Sequence, residues 1–273
     1  MKNSSEKGGA PLPEGVYRAV KKDGTEYYRS SLTYKGKHIS LGSYATAKEA
    51  HNAYLQGKAL LESRLGPEDY LSQGKKTKGP LPFDKWVILV NFRDSGLYFK
   101  TPIVLGQRIF TYHLTPTEVL TFDFEDLFYY SQHTIMRRGG HLFVADYGSQ
   151  ISVFTRHGIK PYAVEGVDYR FVNGDPLDFR RENLEILNVY HGVRAVEKGY
   201  LARIHVNGYL QIGTYPSVLE AAIAYNKAAD ILQKNGVDKE YLQNFIDISP
   251  RVYADIYASL PVSERIEQTF GPL

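Results

Sequence analysis

The chain has 273 residues, 43% of them hydrophobic, a formal net charge of +3 and no cysteine. Missing thiols exclude disulfides, thiolate zinc sites and cysteine nucleophiles, so any metal would need His, Asp, Glu or Asn. No apolar run approaches the ~18 residues a membrane helix needs, and the mild basic balance permits nucleic-acid binding without arguing for it.

Residues 1–13 read as a flexible leader. The stretch "MKNSSEKGGAPLPEG" has no apolar core and so is no signal peptide. A cytoplasmic, nucleoid-associated location is expected, or a nuclear one in a eukaryote. From 14 to 72 the pattern is three strands and a helix. "GVYRAV" and "YYRSSLTY" flank an Asp-Gly turn, "KGK" turns into "HISLG", and Thr46 with Glu49 forms a capping box. Ala50, Ala53, Tyr54 and Leu60-Leu61 then recur at helical spacing. Residues 73–83 read as a linker in which Lys75, Lys76 and Lys78 belong to a solvated tether, with phosphate contact as the other reading. From 84 to 112 the pattern is strand-like, in "KWVILVNF" and "TPIVLGQRIFTYHL", with Trp86 as core. "FDFEDLFYYSQ" suits a short helix, and "HLFVADY" and "QISVF" suit strands. The region 84–190 ends in "VDYRFVNGDPLDFRRENL" at 167–184. Residues 191–245 repeat the three-strand-and-helix pattern. In the tail, 246–273, Tyr253, Ile256, Tyr257 and Leu260 lie at helical spacing. That face packs on the second repeat or serves a homodimer.

The repeat is legible in letters. Gly42, Tyr44, Glu49, Ala50, Ala53, Tyr54 and Leu61 match Gly213, Tyr215, Glu220, Ala221, Ala224, Tyr225 and Leu232 at a constant offset of 171. Tyr70-Leu71 and Tyr241-Leu242 keep it. One helix covers one face of each sheet and leaves the other open. Period two puts Arg29, Ser31 and Thr33 outward in the first copy, and Leu201, Arg203 and His205 in the second. On the third strands His38 and Ser40 match Tyr209 and Gln211. A solvated polar face is one reading of these rows. The other is DNA contact, since Arg and Gln make bidentate hydrogen bonds to base edges.

"LGSYATAKEAHNAY" resembles the core of the plant ethylene-response-factor (APETALA-like) DNA-binding domain over about 50 residues in each copy. The resemblance implies a three-stranded sheet in the major groove, with Arg18, Arg29, Arg194 and Arg203 as candidate contacts. The family's contact tryptophans are replaced near Tyr28 and Tyr200. The first copy carries eight Lys/Arg against four acidic residues and the second five against three, so the first is expected to hold phosphates more strongly.

"YRFVNGD", "LDFR" and "ENLEIL" resemble the core of HNH homing endonucleases that carry an ethylene-response-factor-like module, a likeness covering roughly 100–190. That family cleaves with a His general base and a divalent ion on the scissile phosphate. Aligned on Asn173-Gly174, the base position is Phe171 and the metal-ligand position is Arg170. Asn183, which orients the loop, is retained. The helix that would bring further ligands has no counterpart, because "NLEILN" runs into "VYHGVRAV". Arg170 would turn a metal-mediated phosphate contact into a direct one. A relocated site near His191, with His141, His157 and Asp178 nearby in sequence, is the alternative.

The chain is therefore expected to be α+β, with two small modules of three-stranded antiparallel sheet plus helix flanking a degenerate ββα-metal, HNH-like core. The expected function is sequence-preferring binding of double-stranded DNA without cleavage, as a transcriptional regulator or site-occupying factor, with no cofactor, no metal and no membrane partner. The DNA-contact set is Arg18, Arg29, Ser31, Thr33, His38, Ser40, Arg170, Arg194, Arg203, His205, Tyr209 and Gln211. Two rivals stand beside it: an HNH-family endonuclease with a rearranged metal site, and a protein–protein interaction module on the same fold.

Overall fold

A computed structural model describes residues 11–73, 79–160 and 163–271. Most of the leader and the linker lysines Lys75, Lys76 and Lys78 lie outside them. The chain is mixed α+β and divides into two compact units, residues 1–153 with 176–180, and residues 154–175 with 181–273. These bounds differ from breaks at 84 and 191. The first repeat shares a core with Leu81 and the segment from Trp86 to Phe92, and the second unit begins inside the middle region. No helix among the described residues is long and apolar enough to cross a membrane.

The first unit opens with strands β1 (Val16–Val20), β2 (Glu26–Tyr34) and β3 (Lys37–Tyr44), an antiparallel sheet in that order. Helix α1 (Ala47–Glu62) starts at the expected capping box, with Thr46 and Glu49 bonding each other's backbone N–H. Ala50, Ala53, Tyr54, Gly57 and Leu60 form its buried face. A short helix α2 (Tyr70–Gln73) and helix α3 (Phe83–Ser95) come next. The sequence pattern suggests a strand where α3 stands. Seven consecutive residues from Trp86 to Phe92 are buried, so no period shows, and Gly96 in the left-handed region closes the helix. Trp86, Leu89, Val90 and Phe92 share a core with Leu32, Ile39, Leu41, Tyr54 and Leu60.

Two further three-stranded sheets complete this unit. One contains β4 (Ile103–Leu105), β5 (Ile109–Thr115) and β6 (Glu118–Asp123). The short helix α4 (Leu127–Tyr130) leads to the other, made of β7 (Ile135–Arg138), β8 (His141–Asp146) and β9 (Ser149–Ser152). Phe179 stacks on Phe122 at 5.4 Å, and its N–H donates to the Thr121 carbonyl.

The second unit starts with the two-stranded hairpin β10 (Tyr169–Phe171) and β11 (Leu184–Ile186). Its second sheet contains β12 (Val193–Val196), β13 (Gly199–His205) and β14 (Tyr209–Tyr215). Helix α5 (Val218–Lys234) starts at the Ser217–Glu220 capping box. Helices α6 (Pro250–Ser259) and α7 (Glu264–Glu267) close the chain. The apolar tail positions pack against the α5 core: Leu260 is buried there, with Tyr253, Ile256 and Tyr257 against it.

Strand pairing makes the repeat equivalence exact in space. Both sheets carry a register break at the same place, between Ser30 and Ser31 and between Ala202 and Arg203. The extra residues opposite it are Leu41 and Ile212, exposed 0% and 1%, so each bulge drives one more side chain into the core. Ser31 therefore corresponds to Arg203 and Thr33 to His205, while Val16 corresponds to Val193. Just before these, Gly15 and Gly192 have φ of +76° and +70°. A Cβ on either would overlap the ring of Tyr54 or Tyr225, so glycine lets the strand start sit flat on the helix tyrosine. The Tyr44 and Tyr215 hydroxyls donate to the prolyl carbonyls of Pro80 and Pro261, at 3.1 and 2.7 Å. Burial pushes both phenols up to about 12.

Candidate nucleic-acid interface

The outward row of the first sheet is set by three cross-strand sets: Tyr17, Arg29 and Ser43; Ser31 and Ser40; Thr33 and His38. Val16 and Leu32, buried at 6%, mark the opposite, helix-covered face. The Arg29 guanidinium donates to the Tyr27 hydroxyl at 2.7 Å, its carbon 5.5 Å from that ring centre. Arg29, Thr33, His38 and Ser40 are exposed; Ser31 is buried at 6%.

Arg18 does not belong to this row. It pairs across from Tyr28, on the parity of Val16, and forms an ion pair with Glu26. Matching "VYRAV" with "VRAV" by letters equates Arg18 with Arg194, whereas pairing equates Arg194 with Tyr17.

The second sheet presents Arg194, Leu201 and Thr214; Arg203 and Gln211; His205 and Tyr209. Here four predicted residues meet. The Arg203 guanidinium carbon lies 4.3 Å from the Tyr209 ring centre, and the His205 ring meets that ring edge-on at 5.1 Å. Tyr209 is 60% exposed although large and aromatic. Lys239 brings a further cation, its Nζ 2.9 Å from His205 Nδ1. It is not legible in the sequence, because its place depends on the chain's return after α5. Tyr17, Ser43 and Thr214 are also row members that only the register identifies. Leu201 stands where the first sheet has Arg29, and is 9% exposed.

The middle hairpin is a packed scaffold. Phe171 is buried with Tyr169 and Ile159, with Phe154 and Leu184 against them. Arg170 faces Glu185 across the ladder and donates to it at 2.6 Å. The Asn183 side chain is buried at 2%; its Oδ1 accepts from Asn173 N–H at 2.7 Å, and its Nδ2 donates to the Asp175 carbonyl at 3.4 Å. Its own carbonyl accepts from Val172. Asp168 is equally committed, accepting from Val164 N–H at 2.8 Å and Asn188 Nδ2 at 2.7 Å. The Arg180 guanidinium donates to the Asp178 carboxylate at 2.6 Å.

Residues 187–192 contain no helix. His191 is held by Asn244, whose Oδ1 accepts from its N–H at 2.6 Å. Burial, with Lys160 adding repulsion, lowers the His191 imidazole below the ordinary histidine range. Among the described residues no group of three or more His, Asp or Glu is placed to hold a metal. Comparison with protein-family models, with curated proteins and with solved structures gave no match to this chain.

Proposed function

We propose that the chain binds double-stranded DNA with sequence preference through its two open sheet faces, and does not cut it. The observation that carries this reading is the Arg203–Gln211 cross-strand pair beside the stacked Arg203, Tyr209 and His205. Arg and Gln are the side chains that read guanine and adenine edges bidentately, and a two- or three-stranded ribbon fits the major groove. The second repeat then reads bases, and the first, with more Lys/Arg, anchors phosphates. Two linked readers gain affinity through effective concentration.

The hairpin at 169–186 supports the non-cleaving half of the reading. Phe171 is a core side chain that cannot accept a proton, and on the resemblance to HNH endonucleases Arg170 stands at a metal-ligand position, where its charge would repel a divalent ion. A role in transcriptional regulation or site occupancy follows from binding without cleavage. The test is selection of bound sequences from random duplex DNA, followed by affinities of the Arg203→Ala and Gln211→Ala variants over a salt titration. A consensus that relaxes at separate positions in the two variants supports base reading. Equal loss on every sequence assigns both residues to phosphates.

A further inference from the structure

The two repeats treat one groove differently. In each sheet the first strand covers only half of the central strand. β1 pairs with Glu26–Ser30 and β12 with Gly199–Ala202, so the far half of β2 or β13 has no first-strand neighbour. In the second repeat the chain after α5 fills that space. The Tyr241 hydroxyl and Lys239 Nζ donate to the His205 carbonyl at 3.2 and 2.9 Å. Three residues on, Asn244 is bonded on every side. Its side chain bridges the His191 N–H and carbonyl at 2.6 and 3.1 Å, and its backbone pairs with Asn226 at 2.7 and 2.9 Å. Tyr241, Ile246 and Ile248 join the core there.

Among the described residues, the same groove is open in the first repeat. A cavity of about 350 Å³ is lined by Glu14, Leu32, Tyr34, Tyr54, Lys58 and Leu61, among others. Glu14 and Leu32 correspond to His191 and Ile204 by register, and Tyr54 and Leu61 to Tyr225 and Leu232 by the 171 offset. The segment that would fill it goes elsewhere. Tyr70, the counterpart of Tyr241, enters α2 and packs edge-on against Trp86 at 5.6 Å, its hydroxyl on the Leu81 carbonyl. Leu55, which replaces Asn226, is 47% exposed.

We propose that this groove docks an extended peptide of a partner protein carrying a Tyr-x-x-Asn pattern. The peptide would lie as residues 239–244 lie in the second repeat: its tyrosine reaches the Thr33 carbonyl, and its asparagine brackets the Glu14 backbone in place of His51 Nδ1, which holds the Glu14 carbonyl at 3.0 Å. Aromatic and aliphatic walls take the tyrosine ring, as the second repeat's core takes Tyr241, and the free strand flank suits an extended ligand.

The probe is a fluorescent peptide with the sequence of residues 237–248, "VDKEYLQNFIDI", titrated into the full chain. The expected result is saturable one-to-one binding that weakens at least tenfold when the peptide's asparagine becomes alanine. Lys58→Trp, which fills the groove from the exposed side of α1, should weaken it similarly. With the unaltered protein, a photo-crosslinker at the peptide's leucine should attach within 31–34 or 54–62. No saturation overturns the proposal. Crosslinking within 191–232 overturns it in favour of strap exchange. Concentration-dependent dimers without peptide, crosslinked from residues 239–244 of one copy to this groove, replace the partner with a second copy.

Discussion

The Arg203 guanidinium stacks on the exposed Tyr209 ring, 4.3 Å from its centre, and the two residues lie directly across the ladder from Gln211 and His205 respectively. The stack holds a flexible cation in one orientation before any ligand arrives, which lowers the entropy lost on binding. Arg203→Ala should cost about 1–3 kcal/mol of discrimination at one base pair, and Tyr209→Leu should lose part of the same preference while keeping the charge. Competition binding against single-base variants of the selected site measures both. Unchanged discrimination in Arg203→Ala would remove it as a reader.

Arg170 and Glu185 form an exposed ion pair, with side chains 57% and 44% accessible. Such pairs contribute about 0–1 kcal/mol to stability, so Arg170→Ala should unfold at nearly the parent denaturant concentration. If Arg170 holds phosphate, its loss weakens DNA binding, and Glu185→Ala, which releases the guanidinium, strengthens it. Added magnesium should strengthen neither. Equal affinities for all three proteins would confine the pair to the hairpin.

Gly192 combines a φ of +70° with a Tyr225 ring and the Arg203 carbonyl where a Cβ would stand. Gly192→Ala should destabilise the second unit by about 2–4 kcal/mol, from left-handed backbone strain plus overpacking. Chemical denaturation should show the loss, whereas Gly208→Ala, with open space around its Cβ position, should lose only the backbone term.

His113 is the clearest source of pH sensitivity in the first unit. Burial lowers its imidazole to about 4, and its Nε2 lies 3.1 Å from Thr111 Oγ1. Because the folded value lies below the unfolded value near 6.5, the unfolded chain binds the proton first. Stability is full above about pH 6.5 and falls as pH drops toward about 4, by up to about 3 kcal/mol from this residue. His113→Gln should flatten that part of the pH profile of melting temperature. A slope identical to the parent's would assign it to other groups.

Local chemistry carried much of the architecture. Both capping boxes, the Asp23-Gly24 turn and the alanine-rich helix faces stand where short-range signals put them. Helix α3 is hidden in the sequence because it is buried on all sides. An unbroken apolar run reads the same as a buried strand, and only its partners Leu32, Ile39 and Leu60 distinguish the two. The open-face rows are legible for Thr33, His38, Arg203, Tyr209 and Gln211. Arg18 is misplaced by the letters because a short match does not contain the pairing register. Lys239 and Asn244 act on residues 34 and 53 positions away, across a chain reversal that no local pattern marks.

The most direct test of the central claim is selection from random duplex DNA by the full chain at two salt concentrations, with the recovered DNA checked for strand breaks in magnesium. The account predicts an intact, enriched consensus, changed at defined positions by Arg203→Ala and Gln211→Ala, with affinity falling as salt rises. No enrichment at low salt, or breaks that disappear in a His191→Ala variant, would contradict it.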